Sequence, residues 1–287
     1  MTQCFLTSDL HGHDDRYEKL FRAIESEKPQ AVFLAGDLLP SGAARHDGPN
    51  GWDGDFINDF LIAGFRRLRH SLGAQYPDVF LILGNDDSRS VESAMCGKHT
   101  HDLWHYAHNR RLVQRSYEVY GYSYVPPTPF LLKDWERYDV SRFVDPGCVS
   151  PEEGIRSVPV PASETRYGTI AGDLENLIGS RDVRNAVFLL HTPPYQTTLD
   201  RAALDGKVID HVPLDVHVGS IAVRRMIEQR QPLVTLHGHI HESARLSGSW
   251  RDQIGRTHLF GAAHDGPELA LVRFDLDDLA GAARELI

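Results

Sequence analysis

Residues 3–11 read Gln-Cys-Phe-Leu-Thr-Ser-Asp-Leu-His, a short apolar run that stops at two ligand-type side chains, Asp9 and His11. A run of this length, rich in large apolar residues, fits a buried strand better than a helix. Four more runs share the pattern, at 31–35, 79–83, 186–190 and 232–236. Amphipathic segments lie between some of them. Residues 14–27 carry Tyr17, Leu20, Phe21 and Ile24 at helical spacing, and 56–72 and 218–229 read similarly. The alternation predicts α/β layering. Towards the C-terminus, 257–262 and 269–275 read as antiparallel strands joined through Gly266-Pro267, and 117–125 as a strand pair or a bent strand. The expectation is therefore mixed sheets with helices outside.

The chemistry lies just past the end of each run. The first ends in Asp9-Leu10-His11, the second in Gly36-Asp37, and the third in Gly84-Asn85-Asp86-Asp87. The fourth ends in His191 and the fifth in His237-Gly238-His239-Ile240-His241. Every predicted strand thus delivers an oxygen or imidazole ligand beyond its C-terminal end, where open α/β sheets place their sites. Side chains two apart on extended backbone point the same way, so Asp9 and His11, and His239 and His241, are expected to converge. The set Asp9, His11, Asp37, Asn85, His191, His239 and His241 mixes hard oxygen with imidazole, which suits Mn, Fe or Zn over Ca or Mg. It is too large for one tetrahedral ion and fits two metals sharing a bridging carboxylate.

In this order the motifs resemble those of the calcineurin-like metallophosphoesterase superfamily. They span residues 9 to 241, and Thr-Pro-Pro-Tyr after His191, followed by Leu199-Asp200, is similar to a prokaryotic branch of it. The resemblance implies an α/β (α+β) sandwich of two mixed sheets flanked by helices. It implies two divalent or mixed-valence ions, with Asp9, His11 and His241 on the first, Asn85, His191 and His239 on the second, and Asp37 bridging. The implied reaction is phosphoester hydrolysis by attack of a metal-bridged hydroxide, with His191, Asp86 and Asp87 in catalytic positions. One departure matters. Many members carry Gly-Asn-His-Asp/Glu in the third motif, where the His is thought to protonate the leaving group. Here Asp86 takes that position and Asp87 matches the following acid. Aspartate has a reference pKa near 3.9 and makes a poor proton donor at neutral pH. The expectation is a phosphodiesterase on small or nucleotide-like substrates, with a protein or small-molecule phosphomonoesterase as the alternative. A non-catalytic scaffold on the same fold is the alternative of a different class, and the presence of all seven ligands weighs against it.

Composition bounds the partners. The 287 residues hold 40 acids against 30 bases, a formal net charge of −10, which argues against long nucleic acids and anionic membranes. The expected partner is a small phosphoester, and nothing in the chain sets an oligomeric state. No apolar stretch approaches the roughly 20 residues that span a bilayer, and the N-terminal MTQCFLTSD lacks a basic-then-apolar leader. Cys4, Cys96 and Cys148 form no CxxC spacing, which indicates a reducing compartment and a cytoplasmic protein. Neither a GxSxG elbow nor a phosphate-loop or dinucleotide fingerprint is present. The organisation expected is one domain over 1–287 with an insertion or cap-like region around 95–175, including the Pro-rich stretch 126–162. Four histidines, His99, His101, His105 and His108, read as a solvated cap helix near the cleft. His13 and Arg89 are weak candidates for substrate contact. His46, Asp47, Trp52 and Asp53 fall in a Gly-rich loop at 40–55 that could form a lip of the cleft. The aromatics of 121–139 read as loop packing, with base stacking as the sharper alternative.

Overall fold

A computed structural model describes residues 2–41, 55–114 and 117–287 of the chain. The chain begins with β1 (Gln3–Thr7), α1 (Asp14–Glu27) and β2 (Ala31–Ala35). A π-helical segment (Phe56–Ile62) then continues into α2 (Ala63–Leu72). Next come β3 (Asp78–Ile82), α3 (Glu92–Met95), β4 (His105–Tyr106), β5 (Arg110–Gln114), β6 (Tyr117–Tyr122), α4 (Ala162–Tyr167) and α5 (Ile170–Ile178). The second half runs β7 (Ala186–Leu190), β8 (Val208–Ile209), β9 (Val212–Pro213), α6 (Ile221–Arg230), β10 (Val234–His237) and α7 (Ser243–Ser247). It ends with β11 (Arg251–Ile254), β12 (Thr257–Gly261), β13 (Ala270–Asp275) and β14 (Asp278–Leu286).

The strands form two six-stranded sheets, ordered β14-β13-β1-β2-β3-β4 and β11-β12-β10-β7-β6-β5. The five apolar runs are parallel strands: β1, β2 and β3 neighbour one another in the first sheet, and β7 and β10 in the second. Alternate residues serve opposite faces. Leu6, Phe33, Phe80, Leu189 and Leu236 fill one cluster between the sheets. Phe5, Val32, Leu34, Leu81 and Phe188 join the other, with Tyr17, Leu20 and Ile24 of α1 and Val223 and Ile227 of α6. Both faces are buried, so no polar alternation marks these strands in the sequence.

Three expectations change. Residues 257–261 and 270–275 do not pair: β12 lies parallel to β10 in the second sheet, while β13 lies antiparallel to β1 in the first. The Gly266-Pro267 segment crosses between sheets, and each strand's real hairpin partner, β11 or β14, has too mixed a composition to read as a strand. The 117–125 stretch gives one strand, β6, whose partner β5 is the charged segment RRLVQ. The region 95–175 is not wholly an insertion, because β4, β5 and β6 are integral to the sheets.

What lies outside the sheets is the stretch 123–161, held by its own polar core. Lys133 and Glu136 form an ion pair with no exposure of either side chain. Glu136 also accepts from the Thr128 amide at 2.7 Å and hydroxyl at 2.5 Å, and Lys133 Nζ donates to the Thr128 carbonyl at 2.9 Å. Removing one partner strands a buried charge, whereas removing both does not. Lys133→Met alone should cost about 3–5 kcal/mol in urea unfolding, and the Lys133→Met/Glu136→Leu pair should recover most of that loss.

Candidate metal centre

The ligand residues sit in turns beyond the strand ends. Asp9, His11, Asp37 and His239 all have left-handed backbone, with φ of 55°, 47°, 52° and 77°. Such conformations cost non-glycine residues about 1–3 kcal/mol each and persist only where the surroundings enforce them. Here the backbone does so. The Asp9 amide donates to the Gly36 carbonyl at 2.9 Å, His11 to Asp37 at 2.9 Å and Gly12 to Leu38 at 3.0 Å, so the two ligand turns are zipped together. Asp9 and His11 therefore converge through a turn, not through extended alternation. The same correction applies to His239 and His241.

Two motif glycines make room for neighbouring ligands. A Cβ on Gly84 would lie 2.3 Å from Asp37 Oδ1 and 2.6 Å from His191 Nε2. A Cβ on Gly238 would lie 2.7 Å from Asp9 Oδ2.

The donor atoms gather in two overlapping groups. Ligand atoms of Asp9, His11, Asp37 and His241 all lie within 4.8 Å of one another, and so do those of Asp37, His191 and His239. Asp37 belongs to both. Asn85 Oδ1 completes the second group, 3.1 Å from His191 Nε2. The closest approaches join atoms that would all offer lone pairs to a cation: His11 Nε2 to His241 Nε2 at 3.2 Å, and His241 Nε2 to Asp9 Oδ1 at 3.1 Å. Second contacts aim the rings. His191 Nδ1 donates to the Ala35 carbonyl at 2.7 Å and His11 Nδ1 to Asp86 Oδ2 at 3.1 Å, which leaves both Nε2 atoms for a metal. The residues present thus fit a pair of cations sharing Asp37.

Electrostatics agrees. Burial disfavours the charged form of His191, yet Asp37 and Asp9 outweigh it and push the ring up to about 9. Burial is likewise outweighed at His11 by the Asp86 hydrogen bond and by Asp37 and Asp9, giving about 9. Asp37, though buried, is held well below the usual carboxylate range by His191 and His11. His239 is pushed down to about 3 by burial and by His191, and so stays neutral. Protons on His11 and His191 do the compensating that divalent cations would otherwise do.

The remaining candidate residues take varied places. Asp86 accepts from His11 and, at 2.5 Å, from Ser41 Oγ, while its amide donates to Asp37 Oδ1 at 2.8 Å. Asp87 is fully buried and accepts from the amides of Leu38 (3.0 Å), Leu39 (2.8 Å) and Gly84 (2.9 Å), clasping the second and third ligand turns. Burial and the Asp37 charge push it up to about 7. The Arg89 guanidinium donates to Tyr124 Oη at 3.0 Å, pairs with Glu92 and lies over the Trp135 ring. His13 is exposed at the start of α1 and makes no side-chain cap. The stretch 99–108 is not a helix: it is turns followed by β4, because Thr100 caps its own turn and residues 105–106 pair with β3. His105 therefore belongs to the sheet, and His108 packs against Tyr122, Tyr124 and Trp135, its ring 4.8 Å from that of Trp135. These buried aromatics of 121–139 pack the loop. His46, Asp47, Trp52 and Asp53 lie outside the described residues. His237, inside the last motif, is a satisfied core residue bonded to the Thr192 carbonyl and Thr235 Oγ1. Sequence reasoning missed Arg16, which donates to the Asp9 carbonyl at 2.7 Å and also reaches the Gly266 carbonyl. Its only sequence signal is its place one turn into α1.

The calcineurin-like phosphoesterase family matches residues 4–243, and the chain belongs to it. It is accordingly a metal-dependent phosphoric ester hydrolase, and the family's dinuclear centre corresponds to the two groups around Asp37. Among solved structures, the protein TT1561 of Thermus thermophilus is 18% identical with a TM-score of 0.57 over 99% of this chain and 98% of that one. A dimetal phosphatase from Danio rerio is 14% identical with a TM-score of 0.45 over 94% and 91%. The first of these shares the fold. No curated protein matches. Among the described residues, no helix is long and apolar enough to cross a membrane.

Two tests arise from the geometry. Gly84→Ala should keep the far-UV circular dichroism spectrum yet lose bound metal and lower activity about 10–100-fold, because its methyl occupies ligand space. Metal must displace the protons that the neighbouring carboxylates keep on His11 and His191, both raised to about 9. Affinity should therefore rise with pH up to about 9, and loading at neutral pH should release about two protons, measured by calorimetry in buffers of different ionisation enthalpy.

Proposed function

We propose that the chain is a phosphodiesterase for small or nucleotide-like substrates. The observation that carries this reading is Asp86, whose carboxylate accepts from both His11 and Ser41. A carboxylate oxygen that accepts from two donors is engaged in orienting a ligand and is not aimed at a leaving group. It also adds negative charge beside the site, which opposes a dianionic monoester more than a monoanionic diester.

In this reading Asp9, His11 and His241 hold one metal and Asn85, His191 and His239 the other, with Asp37 shared. Two ions of Mn, Fe or Zn would supply positive charge for the phosphoryl oxygens and a water activated at neutral pH. Asp86 and the Ala35 carbonyl hold the imidazoles of His11 and His191 in one tautomer, and Asp87 fixes the spacing of the turns. The net charge of −10 favours a small substrate over a long polyanion, because positive charge would be confined to the centre. The three scattered cysteines support a cytoplasmic setting.

The manganese-loaded protein should turn over bis(nitrophenyl) phosphate with a higher kcat/KM than nitrophenyl phosphate. Asp86→His should move that ratio towards the monoester by about 100-fold, the low end of what a positioned proton donor supplies. A strong monoesterase indifferent to Asp86→Ala would refute the reading.

A further inference from the structure

A further carboxylate–imidazole pair, Asp200 and His217, is carried on chain that is bonded to the segments following His191 and His241. Asp200 is fully buried, and its oxygens accept from the amides of Gln196 (2.8 Å), Thr197 (2.9 Å) and Gly219 (3.2 Å). His217 Nδ1 donates to Asp200 Oδ1 at 2.8 Å. The His217 ring is partly exposed, and its Nε2 has no hydrogen-bond partner among the described residues. Asp200 thus fixes both tautomer and ring plane, and the opposite nitrogen is turned free. This is the arrangement by which a buried carboxylate prepares a histidine for proton transfer.

The pair is tied to the metal ligands from two sides. On one, the Ser220 amide donates to the carbonyl of Pro193, two residues beyond His191, and Pro194 bridges to Ser220. On the other, Arg201 bridges to His217, and the Ala203 amide donates to Oε1 of Glu242, the residue after His241, at 3.0 Å. Residues 217–220 are therefore strapped between the segments that come after two of the ligands. Other ionisable groups near the ring include Arg201, Asp145, Asp215, which accepts from the His217 amide at 2.9 Å, and Tyr195, whose hydroxyl donates to Asp215 at 2.5 Å.

We propose that His217, held by Asp200, is the catalytic proton donor to the leaving group, in place of the residue that Asp86 cannot be. This rests on the diester reading above. As the attacking water's oxygen bonds to phosphorus, the bond to the leaving oxygen breaks and its electron pair stays on that oxygen. The oxygen takes the Nε2 proton of the doubly protonated His217 ring, which keeps its Nδ1 proton on Asp200 and is left neutral; solvent takes up the proton lost by the attacking water and restores the one on Nε2. Poor leaving groups need this proton, and good ones need it much less.

The test uses the zinc-loaded full chain on methyl nitrophenyl phosphate and methyl phenyl phosphate, which differ only in leaving group. His217→Gln should lower kcat/KM about threefold on the nitrophenyl ester and about 100-fold or more on the phenyl ester, the usual range for a lost general acid. Asp200→Asn should show the same asymmetry more weakly, with metal content unchanged. Independently of turnover, dimethyl phosphate should shift the His217 Nε2 resonance in nitrogen-15 spectra of the wild type. Equal losses on both esters, or none, would overturn the proposal, as would an unmoved resonance. If the wild type cleaves phenyl and nitrophenyl phosphate but neither diester, the diester reading fails alone, and the same asymmetry on the monoester pair decides the role of His217.

Discussion

Asp37 is the group on which the rest of this structure depends. It is almost fully buried, it lies within ligand distance of both halves of the centre, and its charge raises His11, His191 and Asp87 together. A buried carboxylate is costly unless opposite charge or hydrogen bonds meet it. Imidazole protons and the Asp86 amide do so here, and divalent cations would do so more strongly. The fold brings two sheets together so that this one charge has partners from both.

That requirement explains the strained turns. Four proposed ligands have left-handed backbone, a concentration expected only where the surroundings over-determine the geometry. The zipped backbone of the first two turns, the Asp87 clasp on the second and third, and the Ala35 carbonyl under His191 are the devices that hold them. Buried apolar strands on both sides give those devices a rigid base, because packed interiors resist displacement.

Proton supply is organised separately from metal binding. Asp86 and Asp87, which come directly after ligand Asn85, are both committed as acceptors inside the centre. Asp200 and His217 form a pair with an uncommitted nitrogen, placed between segments that leave His191 and His241. The DxH at Asp215–His217 resembles the candidate metal ligands Asp9–His11 in sequence, yet the imidazole of His217 turns to Asp200 instead. Spacing alone could not distinguish the two, since the partner of His217 lies 17 residues away in the chain.

The sequence by itself determined the five buried strands, their flanking helices and the positions of seven ligand-type residues just beyond them. These features are local: an apolar run must be buried, and a ligand motif is a short string. Tertiary structure decided the rest. Which sheet receives β12 and β13, the strand role of the charged β5, and the loss of helix at 99–108 depend on pairing between distant segments. Ligand convergence likewise came from turns fixed by contacts between the loops after β1 and β2, and not from the two-residue period of a strand. The roles of Asp86, Asp87 and His217 depend on which donor or acceptor faces them. Hydrogen bonds and charges act across space, and a sequence orders residues only along the chain.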